Sequence, residues 1–310
     1  MVRAVARGAL AAAVAVPLVR KRLRVPPAVT VAVVMSGPPA LAVLQPRTRT
    51  RDAALYVLQM WAFLHCKDLP HDDPDALRER LRITYPARAD AVIGGGELPN
   101  VRLQKALEGL GRGNPLDRTL SWIHWAWFFE PHASLMWILA KHPGRFPRSA
   151  RQMSGVFDLG CVLYAAVPTA PPWWAAENGH VDPRVRRIMV EVGQEQWGRS
   201  WEPMYAFLGG NPWAAMPSLH FAASLMSAIL LTEAGVVEGA LGWAYALSLG
   251  FALVYLGEHY VVDLVAGAAL VAAVRWGEQL AQPLADAVSA CLQRLEAIAS
   301  EPEGLRRLEA

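Results

Sequence analysis

Apolar stretches close to the length that crosses a lipid bilayer dominate the chain after residue 118. A spanning helix needs about 20 predominantly apolar residues. Stretches that approach this length lie at residues 119–140, 153–170, 215–234, 239–257 and 260–280. Apolar residues make up 54% of the chain, which fits a spanning core that carries polar segments. The sequence therefore predicts an all-α, polytopic membrane helix bundle embedded in a lipid bilayer.

Two weaker apolar stretches precede this core, at residues 28–45 and 52–66. The first contains Gly37-Pro38-Pro39, which interrupts a helix, and the second is short. We expect one of them to span the membrane and the other to lie in the interface, and the sequence leaves open which does which. The apolar run 9–19 is followed by a basic cluster instead of a cleavage site, so we expect an uncleaved amphipathic helix at the membrane surface.

Residues 67–118 are more polar than the segments on either side. Charge is dense at 77–82, the glycines at 94–96 mark a turn, and apolar residues form a partial helical stripe between 101 and 110. The glycines lack the strand-then-helix context of a nucleotide-binding loop, so a turn is the better interpretation. We expect this polar insert to lie over one face of the membrane.

The chain beyond residue 280 repeats apolar residues at spacings of three and four, which predicts an amphipathic helix on the membrane surface or on the bundle. Three regions are therefore expected. Residues 1–118 form an N-terminal membrane-associated region with the polar insert, and residues 119–280 form the transmembrane core with the candidate catalytic residues. Residues 281–310 form the C-terminal amphipathic helix and tail.

The basic segment 141–151 (KHPGRFPRSAR), between two predicted spans, indicates the orientation in the membrane. Short loops rich in Lys and Arg face the cytoplasm. Counting spans forward from this loop puts residues 171–214 and 257–259 on the extracytoplasmic face, with His220 and His259 at the same end of the bundle. We therefore expect an integral plasma (cell) membrane protein whose active site faces the extracytoplasmic side. The net charge of +3 is too small to indicate a nucleic acid partner.

Only His220 and His259, among eight histidines, have neighbours that indicate catalysis. His220 lies in the segment 217–220 (PSLH), which opens a long apolar stretch. Pro217 fits the first turn of a helix, and free N–H groups at a helix N-terminus attract an anion such as phosphate. Ser218 adds a hydroxyl donor, and His220 holds a proton that can be given to a leaving oxygen. The remaining histidines are interpreted as structural: His65, His71, His124, His132, His142 and His180.

His259 begins the segment 259–263 (HYVVD), in which Asp263 follows at a spacing of four residues. That spacing puts both side chains on one helical face. A carboxylate there can accept the Nδ1 proton of His259, which fixes the tautomer and leaves Nε2 free to attack phosphorus. An ionisable residue inside a predicted span usually marks function. The alternative is a histidine–aspartate pair that only stabilises the start of a helix.

Together, the segments 217–220 (PSLH) and 257–267 (GEHYVVDLVAG) resemble the second and third signature motifs of the type 2 phosphatidic acid phosphatase superfamily. The form of the second motif and the segment 164–174 (YAAVPTAPPWW) are more similar to the inositolphosphotransferase-like branch, which contains inositol phosphorylceramide synthases. The resemblance covers about residues 119–275. The richness in Ala, Arg, Val and Gly is typical of a high-GC bacterial source.

The resemblance implies a six-helix phosphatase-type core, with amphipathic or interfacial helices at both ends, and a two-step mechanism without a metal or other cofactor. His259 would attack the phosphate to form a phosphohistidine, Asp263 would orient it, and His220 would protonate the departing alcohol. The substrate would be a lipid phosphate or phosphodiester. Water as acceptor would make the enzyme a phosphatase, and a lipid or polyol alcohol would make it a phosphotransferase. The synthase-like details favour transfer, and the aromatic, proline-rich stretch 168–214 is a candidate water-excluding lid.

The sequence departs from the superfamily in the groups that meet the phosphate charge. The superfamily has a Ser-Arg pair shortly before the nucleophilic histidine, and here its positions hold Ala252 and Leu253. A first motif with Lys and Arg-Pro is also missing. The replacement cations expected on the outer face are Arg184, Arg186, Arg187 and Arg199. The candidate substrate-binding residues are Ser218, Pro217, Tyr260, Trp173 and Arg199.

A non-enzymatic lipid-binding or transport scaffold with the same fold is the alternative function, because a fold does not establish an activity. The complete set of His220, His259 and Asp263 favours an enzyme, since a scaffold would be expected to have lost at least one of them. A soluble metalloprotein is disfavoured because the histidines lack companion ligands at metal-binding spacing. The oligomeric state is left open.

Overall fold

The regular secondary structure of the chain is helical throughout the part that the computed structural model describes, residues 1–208 and 212–300. The predicted all-α class is therefore confirmed. Three short 3-10 helices lie within these described residues, at Leu69–Asp72, Glu108–Leu110 and Gly198–Ser200. The α-helices are, in chain order, α1 (Val2–Leu23), α2 (Pro27–Met35), α3 (Gly37–Leu44), α4 (Arg49–Cys66), α5 (Pro74–Glu79), α6 (Thr84–Ile93), α7 (Pro99–Ala106), α8 (Pro115–Ala126), α9 (Glu130–Lys141), α10 (Phe146–Ala166), α11 (Pro172–Glu177), α12 (Ile188–Trp197), α13 (Trp201–Leu208), α14 (Leu219–Ala234), α15 (Val236–Tyr255) and α16 (Val261–Ser300).

Three segments of the described chain are long and apolar enough to cross a membrane: α1, the pair α2–α3 and α15. The helix α14 is apolar but shorter, with 16 residues. The stretch 28–45 divides into two helices because Pro38 and Pro39 allow a new helix to start there but cannot continue the old one. The stretch 119–140 divides in the same way, since α9 starts with Pro131 in its first turn.

The last helix is longer than expected. We predicted a span that ends near residue 280 followed by a separate amphipathic helix, whereas α16 continues without interruption to Ser300 and includes Pro283. Leu292 and Leu295 of its apolar stripe pack against a small cluster with Ala6 and Val43, whereas Leu284 and Val288 are exposed. The residues after 280 therefore extend a core helix, and its last turns pack on the N-terminal helices.

The core of the bundle is formed where α4, α9, α10, α14 and α16 meet. Their inward-facing side chains form one apolar cluster, which includes Phe157 of α10, Met226 of α14 and Val271 of α16. The helix α15 packs along α14 and carries a second apolar cluster shared with α8, α12 and α13. Burial of these apolar faces fixes how the ends of the helices meet.

A cluster of ion pairs joins the start of α10, the end of α14 and the middle of α16. Glu233 of α14 accepts hydrogen bonds from Arg148 at 3.1 Å and from Arg275 at 2.8 Å. Glu278 accepts one from Arg148 at 2.9 Å. Because α14 has 16 residues, its first turn lies about 24 Å from this cluster at 1.5 Å per residue. The basic segment 141–151 and the starts of α14 and α16 are therefore at opposite ends of the bundle.

The polar insert packs on the end of the bundle where α14 and α16 begin. Its helix α6 contacts α16, and its helix α7 contacts α15. A buried apolar cluster joins Ala87, Leu98 and Val101 of the insert to Val185 and Tyr260. The insert therefore forms part of the structure around His259.

Backbone hydrogen bonds connect the insert to the stretch 168–214. The N–H of Arg82 donates to the carbonyl of Pro168 at 2.8 Å, and the N–H of Thr169 donates to the carbonyl of Trp213 at 2.9 Å. These bonds hold three separate segments together ahead of α14. Residues 209–211 belong to the candidate lid 168–214, and they lie outside the described residues.

Candidate active site

His220, His259 and Asp263 form one chain of side-chain contacts. Nδ1 of His220 lies 3.2 Å from Nε2 of His259. Nδ1 of His259 lies 3.3 Å from Oδ2 of Asp263, which also accepts the backbone N–H of Tyr260 at 2.9 Å. Asp263 is fully buried and His259 nearly so. Sequence counting placed the two histidines at one end of the bundle, and the structure brings them into direct contact.

The helix α14 begins later than expected, and side chains and carbonyls already bind several of its first N–H groups. Pro217 was predicted in the first helical turn, but α14 begins at Leu219 and Ser218 is the N-cap. The peptide bond between Met216 and Pro217 is cis. The Ser218 hydroxyl accepts the N–H of Phe221 at 3.3 Å. Pro217 therefore precedes the helix, and the Ser218 hydroxyl serves as a cap.

Two further contacts occupy this helix start. Tyr164 of α10 receives the N–H of Leu219 at 3.3 Å and donates its hydroxyl to the carbonyl of Pro217 at 2.9 Å. The N–H of Ser218 donates to the carbonyl of Asp263 at 3.0 Å. Because several N–H groups already have partners, this helix terminus is less open to an anion than the sequence indicated.

Close packing of α14 on α16 depends on Gly267. A Cβ atom at this position would lie 2.8 Å from the carbonyl oxygen of Ser218. A larger residue would therefore push the two helices apart and separate His220 from His259. The tight turn before His259 likewise depends on Gly257, whose φ of +80° is unfavourable for other residues.

Three polar residues of the insert hold the His259 segment from outside the predicted core. Asp90 accepts the N–H groups of Val261 and Val262, both at 2.8 Å, and so caps α16. Asn100 donates to the carbonyls of Val254 and His259 at 2.7 and 3.0 Å. Gln104 joins this set from the next turn of α7 and donates to the carbonyl of Tyr255 at 2.8 Å.

Sequence analysis missed these insert residues as contributors to the site. Asp90 and Asn100 are fully buried, although polar residues of this kind are usually exposed. The usable signal was the four-residue spacing of Asn100 and Gln104, which puts two amide side chains on one helical face. Their partners lie about 150 residues further along the chain, so local patterns alone do not identify them.

Substitution Asn100→Ala is expected to destabilise the His259 segment. It removes one donor from each of two buried carbonyls, which we expect to lower the free energy of unfolding by about 2–4 kcal/mol. Thermal unfolding in detergent and turnover would both be measured. Asn178→Ala is the matched control, because it removes an exposed amide hydrogen bond to the carbonyl of Trp174. Equal melting temperatures for the two variants would contradict a clamping role for Asn100.

A third histidine, His124 of α8, lies against the pair. Its ring stacks on that of His220 with centroids 5.0 Å apart, while Trp127 lies on His220 at 4.2 Å. His124 is 3% exposed, and neither ring nitrogen has a hydrogen-bond partner among the described residues. From the sequence, we interpreted His124 as a structural residue. Its contact with His220 shows that the interpretation missed a neighbour of the candidate site.

An arginine also lies beside the His259 turn. Arg187 donates from Nε to Glu258 at 3.0 Å and from Nη2 to the hydroxyl of Tyr205 at 2.8 Å. Its guanidinium lies 3.7 Å from the ring centroid of Trp173. Burial by itself lowers the pKa of Arg187, but the charge of Glu258 and the contact with Tyr205 offset this, so the pKa is raised. Burial also raises the pKa of Tyr205 to about 12, which keeps its hydroxyl protonated.

The other substrate-binding candidates lie in different surroundings. Tyr260 is completely buried among apolar residues of the insert, and its hydroxyl has no hydrogen-bond partner in the described part of the chain. Arg199 is exposed in the 3-10 turn Gly198–Ser200. Trp173 is half-buried beneath Arg187. Within residues 1–208 and 212–300, no group of three or more His, Cys, Asp or Glu side chains is arranged to hold a metal ion.

Comparison with known families decides the membership of the chain. The model described as the PAP2 superfamily matches residues 103–276, more than half of the chain. The chain belongs to the PAP2 superfamily. The match includes all three residues of the His220, His259 and Asp263 relay. With the membrane-spanning helices, it makes the chain an integral membrane member of a family of phosphoric ester hydrolases and phosphotransferases.

A curated relative agrees with the branch indicated by the motifs. The chain is 26% identical over 251 residues to the catalytic subunit of inositol phosphorylceramide synthase from Schizosaccharomyces pombe. The match covers 74% of this chain and 54% of the relative, so the chain spans about half the length of the curated relative it matches. No solved structure matches the chain at a significant level.

Proposed function

We propose that the chain is a membrane-embedded lipid phosphotransferase in which His259 is the nucleophile, Asp263 orients it, and His220 is the general acid and base. The observation that carries this proposal is the relay from His220 through His259 to Asp263, with contacts of 3.2 and 3.3 Å. The carboxylate of Asp263 accepts a hydrogen bond from the Nδ1–H of His259. The lone pair of Nε2 is then directed towards His220, where a phosphoryl group would enter.

In the first step, Nε2 of His259 attacks phosphorus and forms an N–P bond as the P–O bond to the leaving group breaks. His220 gives its proton to the departing oxygen. A phosphoryl group does not fit within the 3.2 Å that separates the two nitrogens. Substrate binding must therefore break this hydrogen bond and move the two rings apart.

In the second step, an acceptor hydroxyl gives its proton to His220 and attacks phosphorus. The N–P bond breaks, its electron pair returns to Nε2, and His259 and Asp263 recover their starting state. Water as acceptor gives hydrolysis, and an alcohol gives transfer. The name of the fungal relative denotes a synthase of inositol phosphorylceramide, which favours an alcohol acceptor.

A product assay on purified protein in nanodiscs tests the proposal. Phosphatidate, a prenyl pyrophosphate and phosphatidylinositol would be supplied with and without acceptor alcohols, and products read by mass spectrometry beside His259→Ala. We expect products that depend on His259, with more transfer when an acceptor alcohol is added. Release to water even with abundant acceptor would overturn transfer and leave a phosphatase. No product from folded protein across the panel would contradict an enzymatic function.

The site is proposed to face the extracytoplasmic side of the plasma membrane, because the basic segment 141–151 lies at the opposite end of the helices. Cysteine variants test this orientation after replacement of the native Cys66, Cys161 and Cys291. We expect a membrane-impermeant maleimide to label Glu177→Cys in intact cells and to leave Gly144→Cys unlabelled until the cells are opened. Both positions are exposed. The reverse labelling pattern would invert the orientation.

A further inference from the structure

The four arginines considered as phosphate partners differ in burial and pairing. Arg184 exposes 59% of its side chain and is held by Asp182 at 2.6 Å. Arg199 is exposed. The guanidinium of Arg186 pairs with Glu191. None of these contacts brings a guanidinium to the catalytic histidines.

Arg187 is placed differently. It exposes 20% of its side chain and pairs with Glu258, the residue directly before His259. Trp173 lies against one face of its guanidinium, and Tyr205 accepts one of its N–H groups. These contacts on several sides fix the orientation of the planar guanidinium, as directional hydrogen bonding to a phosphate oxygen requires.

The Arg187–Glu258 pair acts on the centre of the site. Glu258 directly precedes His259, whose Nε2 lies 3.2 Å from Nδ1 of His220. His124 in turn stacks on His220 at 5.0 Å. The pair is thus an electrostatic neighbour of the groups proposed to carry out both steps.

The net charge that this pair offers to a substrate is small. Glu258 is 8% exposed, and its carboxylate is engaged by Nε and Nη2 of Arg187. A phosphomonoester carries about 1.5 to 2 negative charges at pH 7, whereas a phosphodiester carries one. A second negative charge would lie near the buried carboxylate of Glu258, with little water to screen the repulsion.

We propose that the Arg187–Glu258 pair is the charge-selective element of the site, which favours lipid phosphodiesters over phosphomonoesters. Arg187 donates to one non-bridging oxygen of the phosphate, and Glu258 opposes a second negative charge. The inference rests on the proposed function and narrows its substrate class. A phosphodiester donor also leaves its head group on phosphorus, so that the second step transfers a head group to the acceptor.

Ligand binding to Glu258→Gln tests the inference without requiring turnover. The probes are dimethyl phosphate, a phosphodiester monoanion, and inorganic phosphate at pH 8, where the dianion predominates. Dissociation constants would be obtained from ³¹P NMR titrations of protein in a phosphate-free detergent. We expect the wild type to favour dimethyl phosphate, and Glu258→Gln to bind inorganic phosphate about tenfold more tightly with a smaller change for dimethyl phosphate.

Two further variants complete the comparison. Glu191→Gln removes a carboxylate from the neighbouring pair with Arg186, and we expect it to leave the preference unchanged. Arg187→Gln should weaken binding of both probes by about tenfold or more, and Arg187→Lys should restore part of it. An unchanged preference in Glu258→Gln, a wild type that favours inorganic phosphate, or no binding by folded wild type would overturn the inference. If the preference holds and products independent of His259 are found, only the proposed mechanism fails.

Discussion

His259→Ala is expected to lower kcat by at least about four orders of magnitude, because it removes the proposed nucleophile and no covalent intermediate can form. His259 is 5% exposed and contacts both His220 and Asp263. Among the described side chains, we expect none to replace it as the nucleophile. Turnover of whichever lipid in the panel gives the highest wild-type rate is the measurement.

Substitution of Asp263, the hydrogen-bond partner of His259, is expected to give a smaller loss of activity. Asp263→Asn keeps the nucleophile but loses the charge that fixes the tautomer, so we expect a residual activity about a hundredfold above that of His259→Ala. The control is His180→Ala, which replaces an exposed histidine that stacks on Trp174. Near-normal turnover by His259→Ala would exclude a phosphohistidine at this position.

His220→Ala is expected to slow lipid turnover by about 10²- to 10⁴-fold, since proton transfer contributes on that order. The loss should depend on the leaving group. An alkoxide needs a proton from His220, whereas para-nitrophenolate leaves without one. We therefore expect a phosphodiester, methyl para-nitrophenyl phosphate, to give a burst of para-nitrophenolate from His220→Ala, followed by a slow second step that lacks its base. Rapid-mixing absorbance measurements would resolve the two phases.

A control variant distinguishes loss of proton transfer by His220 from the structural effect of removing a buried imidazole ring. His65 of α4 has a buried ring nitrogen without a hydrogen-bond partner in the described structure, and its ring contacts Trp61 as that of His220 contacts Trp127. His65→Ala should keep both phases at wild-type rates. Equal losses for lipid and para-nitrophenyl substrates in His220→Ala would indicate a structural role instead of proton transfer.

Much of the bundle could be predicted from the sequence because hydrophobic length is a local property. The stretches 153–170, 215–234 and 239–257 each correspond to one helix of the structure. The four-residue spacing of His259 and Asp263 correctly predicted their contact, but the two do not share a helical face, because His259 lies two residues before α16 begins. Positive loop charge and span counting correctly placed His220 with His259, without any use of the motifs.

The errors arise where distant segments decide the local structure. Pro217 fits the first turn of an isolated helix, yet Tyr164 and the carbonyl of Asp263 bind the residues around it and move the helix start to Leu219. The helix α16 was expected to end near 280, but helix-forming residues and packing on the N-terminal helices carry it to Ser300. Neither effect is visible in a short window of sequence.

The polar insert also makes contacts with a distant segment, here at the site itself, that local sequence patterns do not predict. Asp90 and Asn100 belong to a segment that reads as a surface feature, since charge and glycine are common there. In the structure both are fully buried and bind the backbone around His259. Arg187 was one of four equivalent arginines in the sequence, and its burial and its contacts with Glu258, Trp173 and Tyr205 distinguish it in the structure.

Detection of a covalent adduct on His259 is the most direct test of the mechanism. Wild-type protein and His220→Ala would be mixed briefly with methyl para-nitrophenyl phosphate, whose leaving group needs no proton, then quenched in base to preserve phosphohistidine, digested, and analysed by mass spectrometry. We predict that the peptide containing His259 gains the mass of the transferred phosphoryl group, with its head group if the donor is a diester. The adduct should accumulate in His220→Ala and be absent from His259→Ala. An active enzyme with no adduct on His259, or with the adduct on another residue, would contradict this mechanism.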